Sequence, residues 1–159
     1  MQISEVDYIV ESDNKPLISL PALPASEEDS KIAQLIMNEI HDESVIQLGI
    51  GAMPNTVGMM IAQSDLKDLG VHTEMLCDSF VDMYLAGRVT NKKKQVDIGK
   101  MVYTFALGSQ KLYDFLDHNP CCTTYSADYT NNPARIAAND NMVAINNAVE
   151  IDLYGQICS

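Results

Sequence analysis

The chain has 159 residues, 47% of them apolar, enough to bury one core over one sheet and too few for two full domains. Twenty-two acidic against ten basic residues give a formal charge of −12, the wrong sign for gripping nucleic acid or an anionic membrane through phosphates. No apolar run approaches the roughly 18 residues that span a bilayer. Met1-Gln2-Ile3-Ser4-Glu5 also lacks the basic start and apolar stretch of a secretory leader, so the expectation is a soluble, cytoplasmic protein.

Pro16, Pro21 and Pro24 punctuate residues 14–25 and exclude a helix there, so residues 1–25 read as a lead-in segment and residues 26–159 as one domain. Ser26 offers a helix N-cap with Asp29 three residues on, and Ile32, Leu35, Ile36 and Ile40 recur at helical spacing, which predicts a helix to about His41. Val45-Ile46-Gln47-Leu48 reads as a buried strand feeding the turn Gly49-Ile50-Gly51, and Pro54 suits the first turn of the next helix. That helix stops near Ser64 and is weakened by Gly58 in its interior. Val71 to Met75 reads as a second strand and Phe80 to Gly87 as a short helix.

Asn91-Lys92-Lys93-Lys94 reads as a solvated charged loop, and Met101 to Leu107 as the clearest central strand, ending at Gly108. Ser109 can cap a helix with Leu112, Phe115 and Leu116 on one face, closed by Asn119-Pro120. Cys122 to Tyr125 looks like another strand, residues 133–138 like one or two helical turns, and Met142 to Leu153 like a long β-prone run ending in a turn at Tyr154-Gly155. This alternation predicts an α/β fold with an open, mainly parallel sheet, helices on both faces, and ligands beyond the carboxyl ends of the strands.

Two strand ends carry candidate chemistry. At Leu48 to Pro54 the glycines let backbone N–H groups approach a ligand, and the following helix points its positive end at developing negative charge. Glu74, one residue inside the end of the next strand, faces the same crevice, while Glu150 and Asp152 are rival carboxylates late in the chain. The glycine turn alone would also suit a dinucleotide, but Pro54 stands where a third glycine would fall. His72 and Glu74 supply only two of the ligands a metal needs, so none is expected. Cys77, Cys121, Cys122 and Cys158 show no C-x-x-C spacing and read as reduced thiols, with Cys121-Cys122 as buried small residues on a strand.

Leu48 to Pro54, followed by His72-Thr73-Glu74-Met75, resembles the catalytic pair of the acetyl-CoA hydrolase/transferase family, particularly its 4-hydroxybutyrate and butyrate CoA-transferases. Thr90 to Lys94, Gly108 to Phe115 and Asn139 to Asn146 are similar to the family's pattern in the same order, so that the likeness covers nearly the whole chain. The resemblance implies a Rossmann-like sheet and CoA transfer between acyl-CoA and a short-chain carboxylate. In that scheme Glu74 is the nucleophile, Gly49, Ile50 and Gly51 lie beside the reacting carbonyl, and Glu150 keeps a structural role. Coenzyme A enters as substrate and no metal is required.

Hydrolysis through the same glutamate is the alternative the motif shares. Family proteins carry a whole preceding domain and a following G-G-Q-x-D-F loop, so the expectation is a chain truncated at its C-terminus, and a non-catalytic scaffold is a further alternative. The sheet edge such a truncation leaves unpaired favours self-association, giving a homo-oligomer. Lys92 to Lys94 as a clamp for CoA phosphates is the rival to the solvated loop.

Overall fold

The computed structural model describes residues 3–13, 15–20 and 24–159, so the break expected at Pro21 lies outside the described residues. After a 3₁₀ turn at Ile3–Glu5, the lead-in has no other helix or strand among its described residues. It is tied down where Leu20 N–H donates to the Gly108 carbonyl (3.1 Å) and Tyr113 Oη to the Ile18 carbonyl (2.7 Å).

Helix α1 (Glu27–Met37) opens on the expected capping box, with Asp29 N–H donating to Ser26 Oγ (3.0 Å) and Ser26 N–H to Asp29 Oδ2 (2.9 Å). It stops short of His41 because Asn38, Glu39 and Ile40 tighten into i→i−3 bonds. Its buried stripe is also turned from the expected one. Ala33 is buried at the contact with the next helix, whereas Ile32 and Leu35 face solvent.

The chain then alternates as expected: β1 (Val45–Leu48), α2 (Ala52–Gln63), β2 (Gly70–Val71), β3 (Met75–Leu76), α3 (Asp78–Leu85), β4 (Met101–Tyr103), β5 (Phe105–Ala106), α4 (Gln110–Leu116) and β6 (Cys122–Thr124). Two short helices, α5 (Ala127–Thr130) and α6 (Pro133–Ala137), lead to β7 (Met142–Ile145). A hairpin, β8 (Glu150–Ile151) with β9 (Ile157–Cys158), closes the series. The long β-prone run at 142–153 is therefore two strands, parted at Asn146–Val149.

Strands β2, β1 and β7 form one parallel sheet in that order, and β3–β5 and β4–β6 pair in parallel. A bridge between His72 and Val102 joins the β2 line to β4, and the β8–β9 hairpin is antiparallel. Ile46, Leu48, Val71 and Ile145 bury one pleat of this arrangement in a single core with Val57, Ile61 and Phe80 of α2 and α3. Gly58 has a packing reason rather than a mere helix cost: a Cβ there would lie 2.5 Å from Ser79 Cβ, so its absence sets how closely α2 and α3 approach. On the opposite pleat His72 Nε2 meets the carbonyl of Thr130 in α5 at 2.7 Å.

The two strands expected at 71–75 and 101–107 are both broken, at Thr73–Glu74 and at Thr104. The Glu74 carbonyl accepts from both Thr104 N–H (2.8 Å) and Phe105 N–H (3.1 Å). Register survives, since His72 pairs with Val102 and Met75 with Phe105. The alternation of faces does not: Val71, Met101 and Tyr103 lie in the helix-side core, and so do Leu76 and, at its margin, Ala106.

The lysine loop is not solvated throughout. Lys94 is 2% exposed, and its Nζ donates to the carbonyls of Val71 (2.9 Å) and Lys100 (2.8 Å). Lys93 pairs with Glu43 at 2.9 Å, and buried Asn91 accepts the Val71 N–H at 2.8 Å. Burial pulls the Lys94 ammonium down to about 8 from 10.5. Between those values the unfolded chain holds a proton that the fold does not, so stability rises with pH across the window and falls as pH drops through it. Urea unfolding should show a gain of about 1–2 kcal/mol between pH 8 and 9.5 from this group. The Lys94→Met chain should lose that gain. The Cys122 thiol, which burial raises from 9.0 to about 11, acts in the opposite sense from about pH 9 upward, so the difference between the parent and Lys94→Met chains is what isolates the lysine.

Candidate active site

Strand β1 pairs with β7 through Leu48 and Ile145, so the segments leaving both strands emerge side by side. Gly49, Ile50 and Glu74 line one cavity of about 350 Å³ together with Asn146 and Asn147. Gly51 instead joins Gly49 and Ile50 on a second, more apolar cavity of about 280 Å³, walled by Leu20, Met75 and Leu107. The glycine turn is thus the partition between two cavities.

Not every amide of the turn is a free donor. Gly49 N–H donates to the Ile145 carbonyl at 2.8 Å, so the expectation of an oxyanion donor at Gly49 is corrected: the sheet has claimed it. Among the described residues no acceptor meets the N–H of Ile50 or Gly51. Gly51 is the N-cap of α2 and carries no side chain to close the helix end, which leaves the positive end of the helix dipole at the crevice.

Glu74 sits at the bend with an exposed carboxylate that takes part in no ion pair among the described residues. It also lines a third cavity, of about 260 Å³, with His72, Gln47, Thr130 and Asn146. His72 is 1% exposed, and burial holds its pKa below the usual imidazole value against the opposing hydrogen bond to Thr130. The ring is therefore neutral, with the Nε2 proton given to a carbonyl that can only accept.

Three amide side chains at this crevice were not singled out by sequence reasoning. Gln47 and Asn146 exchange a reciprocal pair of hydrogen bonds, Nε2 to Oδ1 at 3.0 Å and Nδ2 to Oε1 at 3.1 Å. Asn147 Nδ2 donates to the Ile50 carbonyl at 2.9 Å and holds the turn. The available signal was Asn146-Asn147 inside a β-prone run, since asparagine is depleted in strands and marks where β7 ends.

The rival carboxylates lie elsewhere. Glu150 is exposed on the hairpin, and Asp152 Oδ1 accepts from Tyr154 N–H (2.8 Å) and Gln156 N–H (2.9 Å) to close its turn. All four cysteines are free thiols. Cys121 and Cys122 are half-buried rather than buried, and the raised Cys122 thiol is a poor nucleophile. Among the described residues no three His, Cys, Asp or Glu side chains cluster as a metal ion would need, and no helix is long and apolar enough to cross a membrane.

A sequence model of the acetyl-CoA hydrolase/transferase C-terminal domain matches residues 108–159. The whole chain is 50% identical to a probable butyrate:acetyl-CoA coenzyme A-transferase of Syntrophomonas wolfei, covering 36% of it. It is 43% identical, again over its whole length, to 36% of the 4-hydroxybutyrate coenzyme A transferase of Clostridium kluyveri. The crystal structure of RipA from Yersinia pestis superposes on 99% of the chain with a TM-score of 0.90 at 42% identity, through 36% of its own length. The chain therefore spans about a third of the length of these relatives.

The partition itself is testable. Gly51 has φ +131°, and a Cβ there would lie 2.4 Å from Asn147 Nδ2. Gly87, also at positive φ (+74°), has open space around its Cβ position. Gly87→Ala should cost about 1 kcal/mol from backbone strain alone, and Gly51→Ala roughly 2–3 kcal/mol because the Asn147 contact must also break. Paired urea midpoints measure the difference.

Proposed function

We propose that the chain is part of a member of the acetyl-CoA hydrolase/transferase family, whose C-terminal domain model matches residues 108–159, and that its crevice moves coenzyme A between an acyl-CoA and a short-chain carboxylate such as butyrate, 4-hydroxybutyrate or acetate, with Glu74 as the nucleophile. The observation that carries this reading is the cavity that Glu74 shares with Gly49 and Ile50, beside the N–H groups of Ile50 and Gly51, which meet no acceptor among the described residues.

The Glu74 carboxylate attacks the acyl-CoA carbonyl, and collapse of the tetrahedral oxyanion expels CoA thiolate and leaves a mixed anhydride. The thiolate then attacks the glutamyl carbonyl, releasing the first carboxylate and leaving CoA as a thioester on Glu74. The acceptor acid runs the same steps in reverse, so the kinetics are ping-pong. Each step passes through an oxyanion, for which the N–H groups of Ile50 and Gly51 are the donors; one such donor is commonly worth about 3 kcal/mol. The reading carries with it an open Rossmann-like sheet with its ligands at the carboxyl ends, a homo-oligomeric state and a cytoplasmic setting.

The test is covalent. Treatment with acyl-CoA followed by mass spectrometry of peptides should find CoA attached at Glu74, removable by borohydride. The adduct should be absent in Glu74→Ala, with transfer down on the order of 10³-fold or more. Glu74→Asp should also lose most of the rate, because one methylene withdraws the nucleophile from its attack distance. Labelling at another residue, or undiminished transfer in Glu74→Ala, would refute the assignment.

A further inference from the structure

We infer that Thr73 is a positioning residue: its buried hydroxyl ties the carbonyl that opens the glycine turn to the carbonyl that follows Glu74, and so fixes the nucleophile against the N–H groups of Ile50 and Gly51. The inference rests on the transfer reading above for what Glu74 does, but the tie itself stands on separate atoms.

The parallel ladder between β1 and the β2 line advances by every second residue. Gly70 N–H donates to the Ser44 carbonyl at 2.9 Å and His72 N–H to the Ile46 carbonyl at 3.2 Å. The next rung of that series is Glu74 N–H to the Leu48 carbonyl. It is not made: among the described residues the Glu74 N–H, at the break in the strand, donates to no backbone carbonyl. Thr73 Oγ1 stands in its place, 3.5 Å from the Leu48 carbonyl and 3.0 Å from the Met75 carbonyl. A hydroxyl has a single proton, so the shorter bond to Met75 dominates and the longer one to Leu48 shares the same proton as a three-centre bond. Thr73 and Leu48 are each 1% exposed, so bulk water does not replace the hydroxyl at Leu48.

The main chain of Thr73 is pinned on the other side, its N–H donating to the Val102 carbonyl at 3.0 Å. Among the described residues no other hydrogen bond joins residues 48–51 to residues 73–76. The glycine turn is thus held from the β7 side by Asn147, through the Ile50 carbonyl, and from the Glu74 side by Thr73. Without the hydroxyl the buried Leu48 carbonyl lacks its donor, and the group placed to supply one is the Glu74 N–H. Its capture would complete the rung, straighten the strand and turn the carboxylate out of the crevice. Thr73 touches no reacting atom on this account. It sets the distance and angle from which Glu74 attacks, so its loss falls on rate and not on substrate affinity.

The experiment compares Thr73→Val, which keeps the branched shape without the hydroxyl, with Thr73→Ser, which keeps the hydroxyl. In amide hydrogen exchange of the 159-residue chain, Glu74 N–H should exchange about tenfold more slowly in Thr73→Val, because the rung forms, and at the parent rate in Thr73→Ser. A merely loosened fold would speed that exchange. With acyl-CoA, the maximal rate of adduct formation at Glu74 should fall about 10²-fold in Thr73→Val, with half-saturating acyl-CoA unchanged within about threefold, and Thr73→Ser should recover most of the rate. In the unsubstituted chain a hydroxyl proton held between two carbonyls should exchange slowly enough to be seen by NMR. A rapidly exchanging Thr73 hydroxyl overturns the inference whether or not Thr73→Val folds. Unchanged or faster exchange at Glu74 in Thr73→Val, or equal losses of rate in the two variants, would overturn it as well. No adduct in the unsubstituted chain, with the exchange pattern as expected, would sink the transfer reading alone, whereas an adduct formed at full rate by Thr73→Val would sink this one alone.

Discussion

The carbonyl oxygen of Glu74 accepts two N–H groups, from Thr104 and Phe105, and the geometry of the crevice depends on that shared bond. A regular ladder alternates its faces without interruption, so a strand running unbroken from Val71 would send Leu76 away from the helices. Breaking both strands at the same level keeps the pairing of His72 with Val102 and of Met75 with Phe105, yet returns Leu76 to the core beneath α3. The bend that results is where Glu74 sits, with its carboxylate in the open. Breaks of this kind beside reacting groups re-aim a side chain that the pleat would otherwise dictate.

A second constraint is topological. Because β1 runs parallel between β2 and β7, the residues following Leu48 and Ile145 leave the sheet together, and Asn146 and Asn147 come to lie over Gly49 and Gly51. A Cβ at Gly49 would fall 2.7 Å from Asn146 Oδ1, so the glycines serve close approach to a neighbouring loop as well as to any ligand. The same adjacency costs the turn one donor, since Gly49 N–H completes the ladder to Ile145.

How much of this was legible follows from the range of each signal. The capping box at Ser26 and Asp29, the strand Val45–Leu48 and the helix ending beside Ser64 are local patterns, and they appear where the sequence puts them. The common mouth of Glu74 and the glycine turn was also within reach, because parallel strands place their carboxyl ends on one side. The double break at Glu74 and Thr104 was not, as it is a property of two strands together and neither contains a glycine or proline to announce it. The turned face of α1 and the burial of Lys94 escaped for a similar reason. Ala33 outcompetes Ile32 and Leu35 only because α2 packs closely there, and Lys94 is charged by type but enclosed by carbonyls 23 and 6 residues away.

Charge explains why the crevice is furnished as it is. The chain carries −12 overall, and neither of the two cavities at the glycine turn nor the third beside Glu74 has a lysine or arginine among its lining residues. On the proposed reading, a cation beside Glu74 would stabilise the carboxylate as an ion pair and blunt it as a nucleophile, the opposite of what attack on a thioester would require. Neutral dipoles avoid that conflict. The N–H groups of Ile50 and Gly51, the end of α2, and the amides of Gln47 and Asn146 can meet an oxyanion only where one forms, without pairing the resting carboxylate across the cavity. Electrostatic preorganisation by uncharged groups is thus compatible with so acidic a chain, whereas long-range attraction of an anionic substrate is not.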